Sequence, residues 1–176
     1  MKDRRHPQLQ HDACEIATNI AYGSPAQCEQ LVIKDGLDAF MQLLYEGTGA
    51  VLEQALWGLG NIAGDCANCR NVVTMKGGFE CVIRIVVQSD RRMVRELGAW
   101  VLSNLCGGEP LPNYDVVKSA LPVLGELIVN DALNENVLKS ALWTLANHSD
   151  GRKSKIRHIL KIEHIVPKLV ELCSGK

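Results

Sequence analysis

The stretch ALWGLGNIAGD, residues 55–65, places Trp57 and Asn61 four positions apart and Asp65 four further on. Residues four apart on a helix stack along one face. A large aromatic, a carboxamide and a carboxylate therefore share one stripe. The stripe returns along the chain. EIATNIAYG (15–23), WGLGNIAGD (57–65), WVLSNLCGG (100–108) and WTLANHSDG (143–151) align on Asn19, Asn61, Asn104 and Asn147, at spacings of 42, 43 and 43. Trp57, Trp100 and Trp143 keep the step of 43, and Glu15 takes the aromatic position in the first copy.

A helical period of about 40–47 residues is the signature of armadillo or HEAT repeats. Three helices are expected per period. A short one follows a turn, as in SPAQCEQLVIKD (24–35), with Ser24 as N-cap and Pro25 at the first helical position. A glycine ends it, Gly36 here and Gly77–Gly78 in the next copy. A second helix follows, as in LDAFMQLLYEG and FECVIRIVVQS, and Pro122 and Pro167 suit the first turn of its later copies. The third helix, over roughly 50–63, 92–106 and 135–148, carries the Trp–Asn pair. Three helices favour armadillo over HEAT, and no period-2 alternation of useful length argues for strands. The expected fold is all-α: a right-handed superhelical armadillo solenoid of about four three-helix repeats. It forms a single domain, 1–176, with repeats near 9–48, 49–90, 91–133 and 134–176. Leu52, Leu56, Leu59 and Ile62 lie away from the Trp–Asn stripe and need neighbouring helices to cover them.

The stripes predict a groove. Stacking the third helices sets Glu53–Trp57–Asn61, Glu96–Trp100–Asn104 and Lys139–Trp143–Asn147 side by side, with Asp65 just past a helix end. A carboxamide matches the donor and acceptor of a peptide group, so a row of Asn suits an extended foreign backbone. Helices about 8–10 Å apart span about three extended residues each, so four Asn would grip about nine to twelve. Neighbouring indoles form slots for Lys or Arg stems, a contact worth about 0.5–2 kcal/mol. Asp65 and Glu53 would then take the charge. The plainer reading makes each Trp core and each Asn merely exposed. Against it, Leu, Val and Ala already supply a buried face, and mid-helix Asn, four times repeated, has poor helix propensity.

The segments EQALWGLGNIAGD (53–65), WVLSNLCGGEPLPNYDVVKSALPVLGELI (100–128) and ALWTLANHSDG (141–151) resemble the armadillo domain of the importin-α (karyopherin-α) family. The insertion with Pro110 and Pro112 resembles it too. The likeness runs from about Leu9 onward and matches the family's second to fifth repeats, its major cargo site. It implies binding of nuclear localisation signals as extended peptides, antiparallel to the repeats. By resemblance, Trp57, Trp100 and Trp143 are slot walls, and Asn19, Asn61, Asn104 and Asn147 are backbone clamps. By the same resemblance, Asp65 matches the carboxylate that selects the key lysine of the signal, Gly23 a carbonyl near that lysine, and Gln54 a polar groove residue. The chain departs from the family at Glu15, at Cys28 in place of a hydroxyl, and at Leu97 and Ser140 in place of polar or acidic residues. Asn147 continues the ladder where the family often breaks it. MKDRRHPQ is too short for an Arg-rich importin-β-binding segment, so importin-β recruitment is not expected. The family's later repeats are missing, which implies a fragment or a reduced relative. An end of the solenoid left open favours self-association.

Composition agrees with a binding module. Of 176 residues 47% are hydrophobic, enough for a sizeable core. The net charge of −1 excludes a molecule-wide nucleic-acid binder. Seven cysteines at irregular spacing, with no signal peptide and no membrane-length apolar run, read as reduced thiols in a cytoplasmic or nuclear protein. The CxxC of Cys66 and Cys69 has no second pair or His partners at metal spacing, so no metal or cofactor is expected. The glycosylation triplet Asn147-His148-Ser149 reads as chance, RKSKIRH (152–158) as a solvated helix face, and Gly77–Gly78 lacks a phosphate-loop Lys. His6, His11, His148, His158 and His164 pair with no nucleophile, so no enzyme is expected. Two classes remain: an adaptor reading basic localisation signals, and a catenin-like scaffold for another partner segment. The acidic residues Glu53, Glu96 and Asp65 favour the adaptor, and homotypic assembly is compatible with either.

Overall fold

The computed structural model describes residues 6–130, 135–150 and 153–175. Residues 1–5 of the N-terminal segment, Gly151 of the fourth motif and Arg152 of the basic run lie outside them. The described residues form helices and no strand: α1 (Pro7–Ala21), α2 (Pro25–Ile33), α3 (Gly36–Glu46), α4 (Gly49–Asp65), α5 (Ala67–Met75), α6 (Gly78–Gln88), α7 (Arg92–Cys106), α8 (Tyr114–Asn130), α9 (Glu135–Ser149), α10 (Lys153–Ile159) and α11 (Ile165–Ser174). None is long and apolar enough to cross a membrane.

The fold is an armadillo solenoid. The Asn-bearing helices α1, α4, α7 and α9 stand side by side in chain order. Behind them α3 packs on α4 and α6, α6 on α7 and α8, and α8 on α9 and α11. One apolar core runs between the rows, with Leu56, Leu59 and Ile62 of α4, Phe40 of α3, Phe79 of α6 and Leu102 and Leu105 of α7 fully enclosed. Each such side chain contributes about 1.5–3 kcal/mol. Leu52 is only half-buried at the edge of this cluster.

Two local expectations are corrected. Asp35 rather than Gly36 takes the left-handed turn before α3, with φ 63°, and Gly36 is already helical. Asp tolerates this conformation through short polar contacts. Gly77 fills the same role before α6, with φ 79°. In the third repeat no such turn occurs. Pro122, expected at a helix start, lies inside the continuous α8. The segment Lys118-Ser119-Ala120-Leu121 offers no glycine to reverse the chain, so the two short helices fuse, and Pro122 forgoes one backbone hydrogen bond. Pro167 does fall in the first turn of α11. Ser24 caps α2 as expected, its N–H donating to the Gln27 side chain at 2.8 Å.

Candidate functional site

The two glycines of WGLGN seat aromatic rings from two neighbours. A Cβ at Gly58 would lie 2.3 Å from the Phe40 ring, and one at Gly60 would lie 2.1 Å from the Trp100 ring. The bare α4 backbone thus lets α3 pack on one side and the indole of α7 approach closely on the other. Trp143 lies against a glycine one step on as well, but at Gly107, which follows α7 and aligns with Gly64 rather than Gly60. None of the three indoles belongs to the enclosed core. Trp57 is 51% exposed and Trp143 54%, and Trp100 is half-buried.

The carboxamides bridge adjacent repeats. Asn61 Nδ2 donates to the Thr18 carbonyl of α1 at 3.2 Å, and Asn104 Nδ2 donates to the Gly60 carbonyl of α4 at 3.0 Å. Each bond uses one amide hydrogen and leaves a second hydrogen and an acceptor oxygen. Repeat-to-repeat tying is a purpose for mid-helix Asn that the spacing did not reveal. Asn19 is exposed and Asn147 half-buried on the same face.

A hollow of 300 Å³ opens where these groups meet. Gly23 and Tyr22 line it from the end of α1, Asn61, Gly64 and Asp65 from α4, and Trp100 and Asn104 from α7. Five of the residues singled out in the sequence thus converge. Trp100 also lines a second hollow, of 370 Å³, with Glu96, Leu97, Lys139 and Ser140. One indole therefore walls two cavities in line along the stack. Gln54 lies half-buried on α4, and its carbonyl accepts from the Thr18 hydroxyl at 3.3 Å.

The acidic columns are less free than their sequence implied. Glu53 pairs with Arg91 at 2.6 Å, and Glu96 with Arg92 at 2.8 Å. In the last column Lys139 pairs with Glu135 at 2.7 Å. Arg92 is the partner of Glu96 four residues on along α7, whereas Arg91, at the start of α7, reaches Glu53 across from α4, a proximity that spacing within one column hides. Asp65 differs: the Cys69 thiol donates to its carboxylate at 3.6 Å. Cys28 is wholly buried beneath it, and burial, followed by the Asp65 charge, pushes its thiol up to about 11. Glu15 is exposed on α1 beside His11 and Asp12.

Two buried polar groups escaped the sequence reading. Arg70, 3% exposed, donates to the carbonyls of Gly107 at 2.5 Å and Pro110 at 2.8 Å, fixing the insertion after α7. His148, 1% exposed, has Nε2 2.6 Å from the Cys106 carbonyl. Only proximity in the fold gives either residue its partner.

Residues 24–64 match the armadillo/beta-catenin-like repeat family. Over 167 residues the chain is 37% identical to importin subunit alpha-2 of Arabidopsis thaliana, which covers 95% of this chain and 31% of that relative. It is 32% identical to the probable importin subunit alpha-A of Dictyostelium discoideum, over 95% of this chain and 33% of the relative. The chain thus spans about a third of the length of the curated relatives it matches. Among solved structures, an engineered protein superposes with a TM-score of 0.82 at 24% identity, covering 96% of this chain and 67% of that one. A designed armadillo repeat protein, solved with the peptide (KR)4, superposes with a TM-score of 0.77 at 22% identity, covering 94% and 75%. At these identities the two structures speak to fold alone.

Proposed function

We propose that this chain, an armadillo-repeat domain similar to importin-α subunits over nearly its whole length, holds basic localisation-signal peptides in extended form along the α1–α4–α7–α9 face. The observation that carries the reading is the hollow joining Asp65, Asn61, Asn104, Trp100 and Gly23. Its carboxylate suits an ammonium head, its indole a lysine stem, and its carboxamides the flanking peptide groups. The second hollow, walled by Trp100 and Ser140, takes a following side chain. The spare donor and acceptor of Asn61 and Asn104 do the gripping, while the bond each makes to the neighbouring helix fixes the amide's orientation. The chain on this reading binds proteins, carries out no catalysis, and works in cytoplasm and nucleus.

The decisive experiment is calorimetric titration with a peptide carrying a Lys-Lys/Arg-x-Lys/Arg core. Wild type is compared with Asp65→Lys and with a Trp57→Ala, Trp100→Ala pair. Micromolar or tighter binding, lost in both variants while they stay folded, supports the reading. Equal or absent binding throughout refutes it. A catenin-like scaffold is the second reading, favoured by the neutralisation of Glu53 and Glu96 by Arg91 and Arg92. It predicts binding of a different segment that Asp65→Lys does not weaken.

A further inference from the structure

Three thiols and a carboxylate converge beneath the groove from three separate helices. Cys28 belongs to α2, Asp65 ends α4, Cys66 caps α5 and Cys69 lies in its first turn. One ligand atom each of Cys28, Asp65 and Cys69 lies within 4.8 Å of the other two. The Cys66 and Cys69 sulfurs are 2.9 Å apart, and the Cys69 N–H donates to Cys66 Sγ at 3.2 Å. The sequence offered only a bare CxxC. Folding supplies the missing partners, because Cys28 stands 38 positions before Cys66 and is invisible to a spacing rule.

We infer that Cys28, Cys66, Cys69 and Asp65 form a binding site for a thiophilic, tetrahedral divalent cation of the zinc type. Three sulfur donors and one oxygen donor fill the four positions such an ion takes. A tetrahedron with Zn–S bonds of about 2.3 Å has edges of about 3.8 Å, so Cys28, Asp65 and Cys69, within 4.8 Å of one another, need only close slightly, while Cys66, outside that trio, moves away from Cys69 and toward the other two. The backbone N–H donating to Cys66 Sγ orients that sulfur and lowers its charge density, as an outer-shell contact does in a closed site. Cys66 is exposed while Cys28 and Cys69 are buried, so the ion has an entry path and a sheltered seat. Buried thiols alone would be small apolar fillers. That role accounts for Cys14, Cys81 and Cys106, which are buried elsewhere, but not for an exposed thiol capping a helix beside two others. The site stands independently of the peptide reading, although Asp65 serves both.

The test uses the full chain, stripped with chelator and kept reduced, titrated with Co²⁺ and then Zn²⁺. One equivalent of Co²⁺ per chain is expected, with thiolate charge-transfer absorption and intense tetrahedral d–d bands, displaced by one equivalent of Zn²⁺. Cys66→Ser with Cys69→Ser abolishes uptake, Cys28→Ala weakens it at least about tenfold, and Cys81→Ser leaves it unchanged. Alkylation of wild type gives a readout that needs no variant: Zn²⁺ slows modification of Cys66 and spares that of Cys173, the other exposed thiol. No stoichiometric uptake by the folded wild type, uptake that survives loss of Cys66 and Cys69, or Cys66 as reactive with metal as without, overturns the site.

Discussion

Asn104 donates from its carboxamide to the carbonyl of Gly60 at 3.0 Å, across the boundary between two repeats. Trp100, one turn earlier on the same helix, lies against that same glycine. A single backbone position on α4 therefore seats both members of the next repeat's pair. Asn61 makes the corresponding bond to Thr18, the residue before Asn19, just as Gly60 precedes Asn61. From α1 to α4 and from α4 to α7, the period seen in the sequence is, physically, a contact passed from one helix to the next. It fixes the spacing of the indoles and carboxamides and so the spacing of whatever lies across them.

Gly60→Ala therefore acts through Trp100. The added methyl would sit 2.1 Å from the ring, so the indole must move or the helices separate. Overpacking of this kind costs about 1–3 kcal/mol. Urea unfolding followed by circular dichroism should show that loss, and the tryptophan emission of the folded state should shift to the red. In a Trp100→Ala background the same change should be nearly free, giving a coupling energy of about 0.5–3 kcal/mol. Additive losses would show that the ring does not rest on Gly60.

Arg70→Met should destabilise the chain by about 2–3 kcal/mol in urea, since two carbonyls lose a charged donor inside the protein. The bonds to Gly107 and Pro110 tie the start of the insertion to α5, so hydrogen exchange should rise across residues 107–113 ahead of global unfolding. Arg70→Lys should recover only part of the loss, because an ammonium cannot fork toward two carbonyls as a guanidinium does. Stability unchanged in both variants would mean the insertion holds itself.

The repeat was legible because its period is carried by Trp and Asn, residues rare enough in helices to align by eye. The helix ends were legible where Pro and Ser mark them, as at Ser24 and Pro167. They were not legible in α8, where the absence of a glycine mattered more than the presence of Pro122. The stripes named several residues that line the two hollows, among them Asn61, Asp65, Trp100 and Asn104, but not their electrostatics. Arg91 reaches Glu53 only because α7 starts beside α4, whereas Arg92 and Glu96, four apart on α7, were open to the helical spacing rule. Gly60 and Gly64 were within the opening motif, yet a glycine in a helix reads as weakness until the ring or amide that needs the space is known. Cys28, Arg70 and His148 depend wholly on long-range contacts, which no local pattern encodes.

His148 makes acid stability a test of the core near the fourth repeat. Its Nε2–H donates to the Cys106 carbonyl, and burial disfavours the cation and lowers its pKa from the ordinary 6.5. The unfolded chain then binds a proton that the folded chain resists, so this residue's contribution is complete above pH 6.5 and declines as pH falls below it. Replacing it with Gln keeps a side-chain donor while removing the titration. Urea midpoints measured from pH 7.5 to pH 5 should fall less steeply for His148→Gln than for wild type, even if the variant is weaker at neutral pH. Parallel curves would mean that His148 accepts its proton in the folded state without penalty, and that the Cys106 carbonyl receives an imidazolium as readily as a neutral ring.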